Sequence, residues 1–170
     1  MPPLGYDFDQ PRFAELLLRK FFPEKTDHES ALLRDYLVRH LDDFDRVSFS
    51  VRIGAGATLA PGLTPNVQRA ITFSTKKRID LVGYRHQRAT LVEAKTRVGS
   101  AVLGQLLTDR QLWLEEFPDD EEPRLVAIGR DSDDEALRVL GAHGIDVFLY
   151  PLEAERVRDL RGGGPGRLTE

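Results

Sequence analysis

The chain has 170 residues, the length of one ordinary domain, and 41% of them are hydrophobic, which is enough to bury a core. It has no cysteine, which excludes disulfide frameworks, thiolate zinc sites and cysteine nucleophiles. No apolar run approaches the roughly 20 residues that span a membrane, and no secretory signal pattern is visible. We expect one soluble, cytoplasmic domain over residues 1–160 and a flexible glycine-rich tail over residues 161–170.

The net charge of −4, from 24 basic and 28 acidic residues, argues mildly against a general nucleic-acid binder. The charge is unevenly distributed, however. Residues 67–97 contain eight basic and only two acidic residues, so this segment carries +6 and the rest of the chain −10. Such a segment fits either a face that binds a polyanion or a solvated basic strand face, and charge alone does not choose between them.

The predicted elements begin with two helices. Apolar residues at helical spacing predict a helix over residues 10–22. Thr26 and Glu29 then fit the N-cap and N3 positions of a capping box, which starts an amphipathic helix over residues 27–43. Alternating apolar and polar side chains predict a strand over residues 47–53.

The next segment, residues 54–66, is rich in Gly, Ala and Pro and has neither a helical nor a strand period. We interpret it as a loop or mobile insertion that extends to about Phe73. Two strands joined by a short polar loop follow, over residues 79–84 and 90–95. The remaining elements are a helix over 100–117, a strand over 125–128, a helix over 131–142 and a strand over 145–150. This order predicts an α/β fold, with a mixed sheet flanked by helices.

The hairpin brings two carboxylates together. A turn just after His86 places Asp80 opposite Glu93, and side-chain alternation puts Lys95 on the same face. Opposed like charges destabilise a hairpin unless a proton or a cation holds them together. A divalent cation, Mg²⁺ or Mn²⁺, is one solution. Alternatively, Lys95 simply pairs with Glu93 on a polar sheet face.

Asp80, twelve intervening residues and then Glu93-Ala94-Lys95 resemble the signature of the PD-(D/E)xK nuclease superfamily. The similarity covers about residues 27–129 and is greatest to its archaeal-type and RecB-like repair branches. The proline of the signature is absent, because Ile79 precedes Asp80. The resemblance implies a restriction-endonuclease-like αβββαβ core, here with an extra N-terminal helix.

The same resemblance implies an activity and roles for the motif residues. The activity is metal-dependent endonucleolytic hydrolysis of DNA phosphodiesters, in repair, restriction or mobile-element processing. Selectivity for DNA structure is a separate expectation, because a small single domain without a separate recognition domain is better suited to reading DNA structure than a long sequence. Asp80, Glu93 and the backbone carbonyl of Ala94 would bind Mg²⁺ or Mn²⁺, and Lys95 would position the attacking water.

Further residues outside the motif are implied in the site. Glu29 matches an acid that some members of the superfamily supply to the catalytic site and its metal, although it also fits the capping box. Gln105 matches a helical glutamine that steadies the site in related nucleases. Backbone phosphates of DNA would be bound by the basic residues Lys76, Lys77, Arg78, Arg85, Arg88 and Arg97.

The expected partner is DNA, with no membrane. A homodimer is a further expectation, because cutting a duplex needs two strand cleavages and the chain has one motif; a protein partner for targeting is another. Two other functions stay open: a catalytically inactive nuclease-fold subunit that binds DNA or assembles with partners, and a protein-interaction module. The joint presence of Asp80, Glu93 and Lys95 argues against an inactive subunit.

Overall fold

A computed structural model describes residues 6–86 and 88–151 of the chain. The predicted tail over residues 161–170 therefore lies outside the described residues. Within them the elements are, in chain order, β1 (Tyr6–Asp9), α1 (Phe13–Leu18), α2 (Asp27–His40), β2 (Arg46–Ile53), α3 (Pro65–Thr75), β3 (Lys77–Arg85), β4 (Arg88–Ala94), β5 (Arg97–Val98), α4 (Ser100–Glu116), β6 (Arg124–Gly129), β7 (Asp131–Ser132), α5 (Asp134–Ala142) and β8 (Ile145–Leu149). None of the described helices has the length and apolar character needed to cross a membrane.

Six strands form one mixed sheet in the order β1-β2-β3-β4-β6-β8. Strands β1 to β4 pair antiparallel, whereas β4, β6 and β8 run parallel. Strands β5 and β7 make a separate parallel pair of two residues each. The protein thus has a restriction-endonuclease-like architecture, and α2, β2, β3, β4, α4 and β6 form the predicted αβββαβ core.

The sheet separates two hydrophobic clusters. Helices α1 and α2 cover one face, where Leu33 and Tyr36 pack with Val92 of the sheet. Helices α4 and α5 cover the other, where Leu106 packs with Leu91. Neighbouring residues of β4 pack in opposite clusters, so the strand is buried on both faces. This is typical of a strand that lies between two layers of helices.

The predicted hairpin register is confirmed. Arg85 pairs with Arg88, and the same register continues to Leu81 opposite Val92. The short loop fixes this register, since the length of a hairpin loop determines which residues of the two strands pair.

Three other predictions need correction. The loop predicted over residues 54–66 and on to Phe73 is wrong beyond Thr64, because α3 begins at Pro65. Proline at the first helical position is a common helix start, but no residue of α3 is buried, so no core-facing stripe marks the helix in the sequence.

The other two corrections concern element ends. The first helix is shorter than predicted, with a 3₁₀ turn at Gln10–Arg12 before α1 and an end at Leu18. Helix α5 begins at Asp134, because Asp131–Ser132 forms β7 and the side chain of Asp133 caps the helix by accepting from the Ala136 amide. The edge strand β1 was not predicted, since four residues are too few to show a period.

Candidate active site

The two motif carboxylates lie side by side where the β3–β4 ladder ends. The last paired position is Leu81 with Val92, one residue short of Asp80 and Glu93. The Ala94 amide donates a hydrogen bond of 3.0 Å to Oδ2 of Asp80. The Asp80 side chain therefore accepts this amide in place of a backbone carbonyl of β3. Both carboxylates are buried, with Asp80 3% and Glu93 1% exposed.

The neighbouring strand β2 is interrupted at the same level. Phe49 pairs with Leu81 and Val51 with Ile79, but Ser50, between them, does not pair with Asp80. Ser50 has a φ of 54°, in the left-handed region that costs a non-glycine residue on the order of 1–3 kcal/mol. The backbone thus leaves its regular strand geometry at the site.

A buried lysine contacts Asp80. Nζ of Lys25 lies 2.5 Å from Oδ1 of Asp80, and the two side chains are 0% and 4% exposed. Lys25 lies just before the N-cap of α2, 55 positions from Asp80 along the chain. Sequence reasoning missed this residue, and no periodicity or motif marks it.

Lys95 lies beside the second carboxylate, with its Nζ 2.8 Å from Oε1 of Glu93. Even so, neither Glu93 oxygen has a hydrogen-bond partner of acceptable geometry among the described residues. Burial, followed by the negative charge of Asp80, raises the pKa of Glu93 to about 8. Burial alone would lower the pKa of Lys95, but the adjacent Glu93 outweighs it and the pKa of Lys95 is raised. Burial and the Asp80 charge thus favour the protonated form of Glu93, and Glu93 in turn favours the charged form of Lys95.

The donor set fits a divalent metal ion. Asp80 and Glu93 offer hard carboxylate oxygens, and the two buried Glu93 oxygens lack hydrogen bonds. No group of three His, Asp or Glu side chains within residues 6–86 and 88–151 converges on one point. Mg²⁺ keeps several waters and is commonly bound by one or two carboxylates, so two suffice for it.

Glu29 occupies the position that the capping box predicts. Its Oε2 accepts hydrogen bonds of 2.9 Å from both the amide and the hydroxyl of Thr26. Its charge nevertheless contributes to the raised pKa of Lys95, so the two charged groups lie within electrostatic range of each other. Its role as a metal ligand stays a prediction.

Gln105 lies on α4 at the edge of an open polar cavity of about 370 Å³. The cavity lies between the start of β3 and α4, and its other lining residues are Lys77, Arg78, Gly104, Thr108 and Asp109. Gln105 is therefore next to a cavity with two cationic side chains.

A third buried carboxylate, Asp109, was missed by the sequence reasoning. It is 1% exposed, and its Oδ2 has no hydrogen-bond partner among the described residues. Burial raises its pKa to about 7, against the opposing effect of the Lys77 charge. A signal existed, because Asp109 shares the buried face of α4 with Val102, Leu106 and Trp113 at spacings of a helical stripe.

The predicted DNA-binding residues fall into two groups. At the end of β3 nearest the site, Lys77 and Arg78 line the cavity. Two of the basic residues here have acidic neighbours. Nη1 of Arg78 lies 3.2 Å from Oε2 of Glu24, and Nζ of Lys76 lies 3.9 Å from Oε1 of Glu116. Beyond the motif, Arg97 lies 3.6 Å from Asp133 and its side chain is 65% exposed.

The other group lies at the hairpin tip. Arg85 and Arg88 pair with each other, and Arg85 donates to the backbone carbonyl of Asp42 at 3.1 Å. Arg85 is five residues along β3 from Asp80, roughly 16 Å at about 3.3 Å per residue. The structure therefore separates these two arginines from the carboxylates, whereas the sequence treated all six basic residues as one surface.

Fold and site together describe a mixed α/β protein with a paired-carboxylate and lysine centre. Similar solved structures include a repair endonuclease from Pyrococcus abyssi, with a TM-score of 0.43 and 16% identity over 77% of this chain and 49% of that chain. Another is a protein of unknown function, with a TM-score of 0.39 and 18% identity over 75% of this chain and 64% of that chain. The chain spans about half the length of the first and under two thirds of the second. No family model and no curated protein sequence matches the chain.

Proposed function

We propose that the protein is a divalent-metal-dependent DNA endonuclease of the PD-(D/E)xK type. The observation that carries this proposal is the juxtaposition of Asp80, Glu93 and Lys95 at the end of one hairpin. Both carboxylates are buried, and Lys95 lies 2.8 Å from Glu93 while 41% of its side chain stays exposed. A buried acid pair with a half-exposed cation at its edge suits a reaction in which negative charge develops at a solvent-accessible phosphate.

In this proposal each residue has a distinct role. Asp80 and Glu93, with the Ala94 carbonyl, hold Mg²⁺ or Mn²⁺, which supplies Lewis-acid activation of water and of the phosphate. Lys95 orients the attacking water and stabilises charge on the phosphate oxygens. Gln105 steadies the site, and Glu29 supplies a further carboxylate to the metal, through water or a second metal ion.

The cations nearest the site would hold the substrate. Lys77 and Arg78 line the polar cavity beside Gln105, and they are expected to contact backbone phosphates next to the scissile bond. Such contacts give affinity and orientation without reading the base sequence, which agrees with selectivity for DNA structure. A homodimer would bring two such sites to the two strands of a duplex.

The test is cleavage of supercoiled plasmid and of single-stranded, flapped and branched oligonucleotides in the presence of Mn²⁺. Replacement Lys95→Ala is expected to lower the cleavage rate about a hundredfold or more, because it removes a donor to developing charge. The exposed Lys20 serves as the matched control, and Lys20→Ala is expected to cleave like wild type. Equal cleavage by the Lys95→Ala protein would reject the proposed site.

One observation favours a second candidate, a catalytically inactive nuclease-fold subunit. The buried ion pair between Lys25 and Asp80 satisfies Asp80 without any metal. A subunit of this kind would bind the same DNA substrates but cleave none of them with Mn²⁺, Mg²⁺ or other divalent cations. The binding assay on the cleavage substrates therefore separates the two functions.

A further inference from the structure

Lys25 is a cation placed directly on a proposed metal ligand. Its Nζ lies 2.5 Å from Oδ1 of Asp80, and no part of its side chain is exposed. The opposite oxygen of the same carboxylate accepts the Ala94 amide, so both oxygens of Asp80 are engaged. A buried ammonium persists in such a place only when a carboxylate neutralises it, which makes the pair a specific structural feature.

The backbone just before Lys25 is fastened to β2 and β3. The residue before it, Glu24, has a φ of 56°, in the left-handed region, and its Oε2 lies 2.8 Å from Arg52 and 3.2 Å from Arg78. The carbonyl of Pro23 accepts a hydrogen bond of 2.8 Å from the Ser50 hydroxyl. We call residues 23–26 the strap. It is tied to β2 and β3 through contacts that do not involve the Lys25 side chain.

These contacts imply that the strap can stay in place while the Lys25 side chain moves. The anchors are the Pro23 carbonyl and the Glu24 carboxylate, whereas Lys25 reaches Asp80 through a flexible four-carbon stem. An ammonium group and a divalent cation compete for the same carboxylate oxygen. The ammonium donates a hydrogen bond to this oxygen, the metal cation is coordinated by it, and the two positive charges repel each other.

We propose that Lys25 is the resident counter-ion of Asp80 and that it leaves this carboxylate when a divalent cation binds. This inference rests on the proposed function, since it assumes that Asp80 is a metal ligand. Lys25 thereby keeps the buried acid pair compatible with the folded state until metal arrives. It also weakens metal binding, because the ion pair with Asp80 must be broken first. Lys25 is thus a positioning residue that sets the metal affinity of the site.

The first experiment labels lysines of the wild-type protein with an amine-acylating reagent, with and without Mn²⁺, and locates the label by mass spectrometry. Lys25 is expected to resist labelling without metal, because its side chain is 0% exposed, and to be labelled several-fold faster with saturating Mn²⁺. Lys20, which is exposed, is the internal reference and should be labelled equally in both conditions. Continued protection of Lys25 in the metal-bound protein overturns the inference.

The second experiment measures Mn²⁺ affinity by calorimetry. Lys25→Met removes the competing cation, and we expect its dissociation constant for Mn²⁺ to fall about tenfold or more. Lys25→Gln retains a donor to Asp80 without the charge, which protects the fold, and is expected to change the affinity in the same direction. Lys20→Met is the control and should bind like wild type. A purely structural role for Lys25 predicts the opposite sign, weaker binding in both variants, and that result would refute the inference.

Failure of the proposed function gives a different pattern. If wild type and both Lys25 variants bind no Mn²⁺, the metal site itself is rejected and the inference falls with it. If wild type binds Mn²⁺ and the Lys25 variants bind it equally or more weakly, only the inference is rejected.

Discussion

Asp109 gives the sharpest test of the electrostatics around the site. The folded protein buries this carboxyl to 1% exposure and raises its pKa from an ordinary value of 3.8 to about 7. Between these two pH values the unfolded chain releases the proton while the folded protein keeps it. Raising the pH through this window therefore favours unfolding, and the full penalty is present above about pH 7.

Replacement Asp109→Asn removes the ionisable group and keeps its shape. At about 1.36 kcal/mol per pH unit, the penalty that it relieves is at most about 4 kcal/mol. At about pH 4.5, which is only about 0.7 unit above the ordinary value of 3.8, little of this penalty has developed, so the variant should gain only about 1 kcal/mol. Above about pH 7 the variant should be more stable than wild type, by an amount that no longer changes with pH.

The assay is urea unfolding of both proteins at about pH 4.5 and about pH 8. Glu93, whose pKa is raised to about 8, destabilises the folded protein in the same direction. The Asp109 charge contributes to that raised pKa, so Asp109→Asn removes this part of the Glu93 effect as well. The exposed Asp119 provides the control, and Asp119→Asn should change the free energy of unfolding by less than about 0.5 kcal/mol at either pH. If the variant gains no stability over wild type at about pH 8, or gains the same amount at both pH values, the folded protein does not retain a proton on Asp109 as argued.

Two further predictions concern the sheet and the substrate. Gly83 lies against the Phe44 ring, which a Cβ at this position would overlap, so Gly83→Ala should lower the free energy of unfolding by about 1–3 kcal/mol in urea; an unchanged midpoint would contradict this packing. For DNA binding measured by fluorescence anisotropy, Arg78→Ala should weaken affinity and reduce the salt slope by about one, because Arg78 lines the cavity beside the site. Arg85→Ala, at the far end of β3, should have the smaller effect, and equal losses would reject the separation of the two basic groups.

The central hairpin was predictable because its determinants are local. Asp80 and Lys95 are joined by two short strands and a polar loop, and the alternation of side chains along each strand determines which of them share a face. Register arithmetic therefore located the carboxylates and the lysine without any knowledge of the rest of the fold. The same reasoning placed Arg85 next to Arg88 but gave no distance from the site, since it did not use the rise per residue along β3.

Residues brought in from distant segments were not predictable in the same way. Lys25 reaches Asp80 across 55 positions, and that contact depends on how the strap packs against β2 and β3. Asp109 differs, because its place in the buried stripe of α4 is a local pattern. An acid at a core position of an amphipathic helix is a sequence signal for a buried, functionally important carboxylate.

The sequence posed one physical question that the structure answers in two parts. Opposed carboxylates need a proton or a cation between them. Lys25 neutralises Asp80, while burial and the Asp80 charge raise the pKa of Glu93 and so favour its protonated form. Each of the two buried acids is therefore compensated within the folded protein, and neither has to be exposed to water for the sheet to remain intact.

The departure of β2 from regular strand geometry lies at the candidate site, next to Asp80. The register of β2 with β3 is the same on both sides of Ser50, yet the pair with Asp80 is not formed and Ser50 adopts a φ of 54°. Phe49 and Val51, two residues apart, consequently pack in different hydrophobic clusters, whereas a regular strand would direct both to one face. The Asp80 carboxylate accepts the Ala94 amide at this interruption, and the alternating sequence of residues 47–53 carries no sign of it. Backbone distortions of this kind cluster at functional sites, so the left-handed φ of Ser50 is a further observation in favour of the candidate site.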